Sequence, residues 1–371
     1  MEEYKFLGGS TEFGESTVSV AVRFQRFMQE AKDHRGRLYE YLSGRIVEDW
    51  EMLRIATKTQ RSPIPNTFFA AVHFLLLNNP KDPLGKYYGS ITPQPLTSDS
   101  LLRPSNEGVF DKFKDFVMRH ESELTDILKT GITQTNEVGR CAYLLPAFQT
   151  VYRLGKNLPL SLIDVGCSAG LHLLWNKYWY EYRGEGHDIA RIGIRNSPVR
   201  IHCEVRGSNY PPVPMHFPPS VVHFGIDLDP IDLRIKFQRT WLESFVFPDY
   251  EHNGRRELLK SAMEMAVLTP PIIWAGDVLE CLPKIVPKVP AESTLCIYHS
   301  HSMYQSNQDL WDQFESMLTS MSMKRDIFWI IAEGYELHLR YLHNGEIRSE
   351  KLANKAAHGS WLEWVKEEAV L

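Results

Sequence analysis

Short apolar runs that each end in polar residues dominate the second half of the chain. Segments with helical apolar spacing separate these runs, and strands that alternate with helices in this way are typical of a parallel sheet. Two further runs flank Asn344-Gly345, a dipeptide that favours the tight turn of an antiparallel hairpin. The sequence therefore predicts an α/β fold with strands over residues 160–165, 221–230, 271–279, 293–302 and 327–332, followed by a terminal hairpin.

The first part of the chain has helical spacing instead, and helices are predicted over residues 18–32, 38–57, 68–77, 111–129 and 142–152. Asn66-Thr67 is expected to cap the third of them. A chain of 371 residues is long for one compact domain, so two domains are the default expectation. We predict an N-terminal helical domain over residues 1–155 and a sheet domain over 156–371, with an insertion at about 183–219 that we interpret as a hairpin or flap.

The turn after the first predicted strand reads Asp164-Val165-Gly166-Cys167-Ser168-Ala169-Gly170. Glycine permits a positive φ and a close approach of the backbone to a ligand. A helix is predicted over 171–182, and its first N–H groups would point at that ligand. Two interpretations stay open here. One is a ligand-binding turn in which Ser168 replaces the middle glycine of the usual nucleotide-binding pattern, and the other is an ordinary strand-to-helix turn.

Acidic residues also end the second and third predicted strands, at Asp227 and Asp277. Because the carboxyl ends of parallel strands meet at one edge of a sheet, these acids and Asp164 are expected to converge. An acid after the second strand suits the two hydroxyls of a ribose. The insertion leaves Glu204 as a rival for this role, and we prefer Asp227 because its strand is cleaner and a helix over 231–247 follows directly.

The segment Gln134-Thr135-Asn136-Glu137-Val138-Gly139-Arg140 interrupts the apolar pattern with polar side chains. It is either an exposed first turn, with Thr135 as the helix cap and Glu137 near the positive helix end, or a polar cluster beside the glycine turn. The sequence does not decide between these two interpretations.

Two histidines, His299 and His301, lie at the polar end of the fourth predicted strand. Imidazole titrates near neutral pH, so either residue is a candidate general base, and the alternative for each is a hydrogen-bonded packing role. Together with His358 they also suggest a metal site. No carboxylate at a fixed spacing accompanies them, so we predict no metal.

Composition narrows the class of protein. A formal charge of −5 argues against general binding to nucleic acid or to an anionic membrane. The five cysteines are scattered, without a Cys-x-x-Cys pair, which fits a reducing compartment and gives no zinc motif. The N-terminus lacks the features of a secretion signal, and the apolar runs are too short to span a bilayer. These features predict a cytoplasmic protein, whose oligomeric state stays undetermined.

The chain has acids at the ends of three consecutive predicted strands and a turn of small residues after the first. In this pattern it resembles the Rossmann-like S-adenosylmethionine-dependent methyltransferases. The resemblance implies S-adenosylmethionine as the cofactor. In that class the turn cradles the methionine part, the acid after strand two holds the ribose, and the acid after strand three meets the adenine. The matching residues here are Asp164, Gly166, Ser168 and Gly170, then Asp227, and then Asp277 with Val278. The antiparallel last strand of that class also matches the predicted hairpin.

Four motifs together look like a bacterial family of unknown function, family 2332. They are the 134–140 segment, the glycine turn with Leu171-His172-Leu173-Leu174-Trp175, the run Gly225-Ile226-Asp227-Leu228-Asp229-Pro230-Ile231-Asp232, and Gly359-Ser360-Trp361-Leu362-Glu363-Trp364. This resemblance covers nearly the whole chain, and it implies no particular reaction.

The resulting expectation is an S-adenosylmethionine-dependent methyltransferase that acts on a small molecule. His299, His301 and Glu137 are the predicted catalytic residues. Asn136 and Arg140 are predicted to bind substrate, since a guanidinium suits a carboxylate or phosphate. The fourth strand lacks the Asn/Asp-Pro-Pro-Tyr/Phe tip of enzymes that methylate nucleic-acid bases. One alternative is an NAD-dependent oxidoreductase, whose typical turn has three glycines and whose acid comes about twenty residues after the turn; this chain has neither feature. The other is a nucleoside-binding regulatory protein without catalysis.

Overall fold

The computed structural model describes residues 16–60, 63–92, 108–186, 189–249, 252–303 and 307–365. It is a mixed α/β structure with a helical N-terminal region and a large, mostly parallel sheet that ends in antiparallel strands. This coarse architecture confirms the sequence prediction. None of the described helices has the length and apolar character that a bilayer span requires. The N-terminal residues on which the expectation about a secretion signal depends lie outside the described ranges.

The chain forms two compact units. One consists of the residues up to Thr135 together with Ile235–Glu257, and the other consists of Asn136–Arg234 and the residues from Leu258 onward. This division differs from the predicted boundary at residue 155, because the helix Cys141–Leu154 falls in the second unit and Ile235–Glu257, which follows a sheet strand, falls in the first. In chain order the helices are α1 (Thr17–Asp33), α2 (Arg37–Val47), α3 (Trp50–Ala56), α4 (Ile64–Asn78), α5 (Val109–Arg119), α6 (Glu121–Thr130), α7 (Cys141–Leu154), α8 (Lys236–Ser244), α9 (Asn253–Leu268), α10 (Val278–Ile285) and α11 (Gln308–Ser322).

Local capping explains where the helical unit departs from the predicted helices. The predicted helix 38–57 is two helices, because the Asp49 carboxylate accepts the Met52 N–H at 3.1 Å and so starts α3. The predicted helix 111–129 is likewise divided, at His120. The predicted cap at Asn66-Thr67 is wrong, since α4 begins at Ile64 directly after Pro63. Pro65 lies in the first turn, where the backbone N–H groups have no partner within the helix, so the missing N–H of a proline costs nothing and favours this earlier start.

An aromatic core holds the helical unit together. The rings of Tyr39 and Phe69 stack at 4.2 Å between centroids, and Phe24 packs edge-on against Phe69 at 5.7 Å. Helix α8, which follows a sheet strand in the chain, belongs to this unit because Phe237 packs on Phe74 at 4.8 Å. The Trp241 indole N–H donates to the Ile132 carbonyl at 3.0 Å. The predicted helix 231–247 is therefore shorter than expected and serves the helical core.

Eleven strands of the described residues form one sheet. They are β1 (Leu160–Val165), β2 (Trp179–Arg183), β3 (Ala190–Gly193), β4 (Arg200–Arg206), β5 (Ser220–Asp227), β6 (Ile272–Ala275), β7 (Thr294–Ser300), β8 (Ile327–Ala332), β9 (Glu336–His343), β10 (Glu346–Lys355) and β11 (Trp361–Trp364). Their spatial order is β3-β2-β4-β11-β10-β9-β8-β7-β1-β5-β6. Five neighbouring strands, β6, β5, β1, β7 and β8, are parallel to one another, and they are the five predicted strands. Counted along the chain, their order is 3-2-1-4-5, which is the order of doubly wound sheets.

The end of the chain and the insertion extend this parallel core. The terminal hairpin is confirmed as β9 and β10, which turn at Asn344-Gly345. The insertion was predicted to be a hairpin or flap. Its strands join the main sheet: β3 forms an antiparallel pair with β2, as a hairpin would, and β4 pairs in parallel with β11 and with β2.

The predicted helix over 171–182 is wrong. Residues Leu171–Lys177 form a short 3₁₀ helix, and β2 follows from Trp179. Aromatic residues favour strands, and here three buried tyrosine hydroxyls donate to backbone carbonyls: Tyr178 to Leu171, Tyr180 to Trp175 and Tyr182 to Ala142. These contacts need the extended backbone that a helix would not supply.

A buried histidine makes the helical unit sensitive to acid. His73 is fully buried, and its ring nitrogens contact the Ser244 carbonyl at 2.9 Å and the Ser90 hydroxyl at 2.8 Å. Burial, followed by the charge of Arg256, lowers the pKa of His73 from 6.5 to about 3. The unfolded chain then binds more protons between these two values, so stability falls as the pH drops through that window.

We expect the free energy of unfolding to decrease by about 2 kcal/mol between pH 7 and pH 5 through this residue. Urea unfolding at the two pH values measures the effect. His73→Gln, which keeps hydrogen-bonding groups but does not titrate, should remove most of it. The exposed His216→Gln is the matched control and should behave like the wild type. An equal pH dependence in His73→Gln would contradict this account.

Candidate functional site

The candidate site lies at the carboxyl ends of β1 and β7. Within the parallel core, β5 and β6 lie on one side of β1, and β7 and β8, which come later in the chain, lie on the other side. Such a change of direction leaves a crevice outside the strand ends, where open α/β sheets bind ligands. The described residues place the glycine turn and the polar tips of β7 and β8 around this point.

The turn after β1 has left-handed backbone at three alternate residues. The φ angles are 71° at Gly166, 54° at Ser168 and 71° at Gly170. A Cβ at Gly166 would lie 2.3 Å from the Ser302 Cβ, so the side of the turn that faces the β7 tip admits no side chain. The strained φ at Ser168 is held by a hydrogen bond from its N–H to the Asp227 carboxylate at 2.7 Å. Asp227 therefore joins the end of β5 to the turn.

Asp227, rather than Glu204, follows the strand that neighbours β1. Its second carboxylate oxygen accepts the Asp229 N–H at 3.0 Å. Burial is the main influence on the pKa of Asp227 and raises it, although the two backbone N–H groups oppose the rise. Glu204 lies in β4 and pairs with Arg206 at 2.8 Å, away from the strands that flank β1.

Asp164 is a buried acid at the end of β1, with 1% of its surface exposed. Its Oδ2 lies 3.5 Å from His172 Nδ1 but finds no hydrogen-bond partner among the described residues. Directly across on β7 is Tyr298, whose buried hydroxyl is also without a described partner. Burial, and then the Asp164 charge, raise the pKa of Tyr298 well above its usual value. A buried polar atom without a partner is uncommon and indicates an unmet interaction at this position.

Asp277 lies two residues after the end of β6, on the far side of β5. Its side chain caps α10 by accepting the Leu279 N–H at 2.7 Å, and it is exposed, whereas Val278 is buried. The second carboxylate oxygen of Asp277 is not used by this cap. The three acids predicted at the strand ends therefore follow adjacent strands of one sheet, β1, β5 and β6, in the order that the sequence predicted.

Residues 136–140 of the polar segment lie beside the glycine turn. Asn136 is buried, and its side-chain oxygen accepts the Leu171 N–H at 2.9 Å. The carbonyl of Glu137 accepts a hydrogen bond from His172 Nε2 at 3.0 Å, and the Glu137 side chain is partly exposed. The alternative of a helix cap at Thr135 is wrong, because α7 begins at Cys141 and has no side-chain cap.

His299 is fully buried and is bound to an acid from the next strand. Its Nδ1 lies 2.6 Å from Glu333 Oε1, which also accepts the N–H groups of Ser302 and Met303 at 3.2 and 3.3 Å. Burial acts to raise the pKa of Glu333, but the hydrogen bond and charge of His299 outweigh it, so this pKa is lower than usual. This network fixes the backbone of Ser302 and Met303, which follow β7.

His301 follows the β7 tip with a positive φ of 52° and is partly exposed. Burial, and then the charges of Arg140 and Lys355, hold the pKa of His301 far below its usual value, so the imidazole is neutral at pH 7. Its Nε2 lies 3.1 Å from the Lys355 ammonium. Lys355, at the end of β10, was not among the predicted site residues. Its only signal in the sequence is a lysine next to two alanines, in Leu352-Ala353-Asn354-Lys355-Ala356-Ala357.

Arg140 is buried beneath the same tip. It donates to the carbonyls of Ser300 at 2.9 Å and Ala357 at 3.3 Å. The structure thus brings Arg140, His301 and Lys355 together, although they come from three distant parts of the sequence. Within the described residues, no group of three or more histidine, cysteine or acidic side chains is arranged to hold a metal ion.

Comparison with known proteins identifies a family without a known activity. The family described as "Uncharacterized protein conserved in bacteria (DUF2332)" matches residues 21–364. No curated protein and no solved structure matches the chain.

Proposed function

The chain belongs to the DUF2332 family of uncharacterized bacterial proteins, and we propose that it is an S-adenosylmethionine-dependent methyltransferase that acts on a small molecule. One observation carries the proposal. The turn Gly166–Gly170, with three positive φ angles, lies at the switch point of the sheet and is joined through Ser168 to the acid that ends the neighbouring strand. Small residues and an acid in this arrangement fit a nucleoside with an attached polar chain.

The remaining residues fit the parts of S-adenosylmethionine. Each Asp227 oxygen accepts one backbone N–H, and a carboxylate oxygen has a further lone pair for a ribose hydroxyl. Asp277 offers an exposed carboxylate oxygen to the adenine amino group, beside the buried Val278. The unpartnered Asp164 oxygen suits a cationic or hydrogen-bond-donating group near the turn.

When bound, S-adenosylmethionine would supply a methyl group on a positively charged sulfur. The contribution of the chain is then to align an acceptor and to remove its proton. His301 and Glu137 keep exposed surface and remain our candidates for contact with the acceptor. His299 is fully buried, so we assign it a positioning role through Glu333. Asn136 likewise positions the turn, through Leu171.

Calorimetric titration with S-adenosylhomocysteine tests the proposal. We expect binding to the wild type, and we expect Asp227→Ala to weaken it about ten- to hundredfold, since hydrogen bonds to a charged group contribute about 1.5–3 kcal/mol. Glu204→Ala, at the rival acid, is the matched control and should bind as the wild type does. A thermal melt of each variant shows whether the turn still folds.

The alternatives predict different results in the same assay. A wild-type protein that binds NAD and not S-adenosylhomocysteine would be an oxidoreductase candidate. A wild-type protein that binds neither would contradict the methyltransferase proposal. Equal losses in Asp227→Ala and Glu204→Ala would exclude the assigned ribose site.

A further inference from the structure

Two buried cations near the β7 tip form no ion pair with any acid among the described residues. Arg140 is 5% exposed and Lys355 is 0% exposed. Arg140 donates to two backbone carbonyls, and the Lys355 ammonium donates to the Gly334 carbonyl at 2.8 Å and to His301 Nε2. No ion pair joins either cation to a carboxylate of the described residues. Glu333 is the acid that acts on Lys355 electrostatically, and its hydrogen bonds go to His299, Ser302 and Met303.

This arrangement is unfavourable in the protein alone. Buried charges are normally paired, because removing an ion from water is expensive without an opposite charge. Here the two cations also lie close enough for Arg140 to act on Lys355 and on His301. A packing role does not explain why an arginine and a lysine are used, since apolar side chains would fill the same space without this penalty. A bound anion would remove the penalty.

We propose that Arg140, Lys355 and His301 bind an oxyanion, a carboxylate or a phosphate, carried by the methyl acceptor. A guanidinium and an ammonium are the two side-chain groups best suited to such a ligand. His301 and Ser302 are partly exposed at the same tip, so the rim of the cluster meets solvent. Identifying the ligand as the methyl acceptor rests on the proposed function, whereas the anion site itself does not.

Proton uptake should accompany binding of the anion. Burial, and then the Arg140 charge, lower the pKa of Lys355 from 10.5 to about 7, and Glu333 opposes this shift. The other groups that face this ammonium are His301 and the ring of Tyr143, which lies 4.6 Å from Nζ. A bound anion favours the charged ammonium and raises its pKa. Above pH 7 binding must therefore take up a proton, and affinity should fall as the pH rises.

Titration of the full chain with succinate and with inorganic phosphate, at constant ionic strength, tests the site. The preferred probe identifies the oxyanion as a carboxylate or a phosphate. We expect Lys355→Met to weaken binding at least tenfold, and Arg140→Lys, which keeps the charge but not the planar fork, to weaken it less. Lys351→Met, on the same strand but partly exposed and paired with Glu336, should leave binding unchanged. Repeating the titration at pH 8 in two buffers of different ionisation enthalpy measures the proton uptake, which should disappear in Lys355→Met.

Failure of this inference is distinguishable from failure of the proposed function. Absence of binding for both probes, or equal binding by wild type and a folded Lys355→Met, overturns the anion site. If S-adenosylhomocysteine binds under the same conditions, the methyltransferase proposal survives that result. If an anion binds and S-adenosylhomocysteine does not, the anion site stands and its assignment to a methyl acceptor is overturned.

Discussion

Replacing Lys355 with methionine is expected to stabilise the protein at neutral pH by about 1–4 kcal/mol, the range found when buried ionic groups give way to apolar ones. The Lys355 ammonium is fully buried, and its two hydrogen bonds go to an uncharged carbonyl and a neutral imidazole. Methionine has a similar length and flexibility and carries no charge. The variant loses these two hydrogen bonds, but it also loses the penalty of a buried cation beside Arg140.

The expected stabilisation depends on pH in a defined direction. The pKa of Lys355 is about 7 in the folded chain, against an ordinary value of 10.5. Between these values the unfolded chain binds more protons, so the wild type gains stability as the pH rises through this window. Below pH 7 the full penalty is present, and above pH 10.5 it is absent. The advantage of Lys355→Met should therefore be largest at or below pH 7 and shrink towards pH 10.

Urea unfolding of both proteins at pH 6.5 and at pH 9.5 measures this difference. Lys351→Met is the control for a lysine-to-methionine change on the same strand, and its stability relative to the wild type should not increase at low pH. A Lys355→Met variant that is less stable than the wild type at both pH values would show that the ammonium is well compensated inside the folded chain. A stabilising variant that loses anion binding is the pattern of a residue retained for function.

Gly359→Ala is expected to destabilise the protein by at least about 4 kcal/mol, among the largest effects of a single substitution. The φ angle at Gly359 is 76°, and a Cβ there would lie 2.0 Å from the Gly139 carbonyl oxygen and 3.0 Å from the Arg140 nitrogen. These atoms belong to the backbone, so no side-chain rotation relieves the overlap. The contact is reciprocal, because a Cβ at Gly139 would lie 2.4 Å from the His358 carbonyl oxygen.

Gly186→Ala provides a matched control for this prediction. Gly186 has a φ of 74°, and no described atom lies within 4 Å of the position of its Cβ. The free energy of unfolding of Gly186→Ala should therefore decrease only by the intrinsic cost of the left-handed conformation, about 1–2 kcal/mol. Chemical unfolding of the two variants separates backbone strain from steric overlap. Similar losses in both would mean that the 137–140 and 356–359 segments can move apart without penalty.

The close contact between these two segments also explains how Arg140 is placed. The guanidinium donates to the Ala357 and Ser300 carbonyls next to the point where the backbones at Gly139 and Gly359 are in contact. A partially folded Gly359→Ala variant should accordingly lose anion binding together with stability. Residues 136–140 of the first family motif and Gly359 of the last are thus neighbours in space within the sheet unit.

Local pattern was sufficient for the parallel strands and the glycine turn. A short apolar run followed by an acid and a glycine identifies a strand and the turn after it, since both depend on the local residues. The same reasoning failed for 171–182, where helical spacing and β-favouring aromatics coincide. Hydrogen-bond partners from distant parts of the chain, such as the Ala142 carbonyl that accepts from the Tyr182 hydroxyl, decided that residues from Trp179 onward form a strand.

The sequence by itself determined the order of the strands along the chain, the acids at their ends and the residues that allow a tight turn. Only the tertiary structure decided which polar residues meet. Strand pairing brings Lys355 of β10 to His301 after β7, across β8 and β9, and a glycine contact brings Arg140 to the same place. The charge environment of a buried side chain is a sum over neighbours from distant segments. It is therefore absent from any local pattern and appears only when the chain is folded.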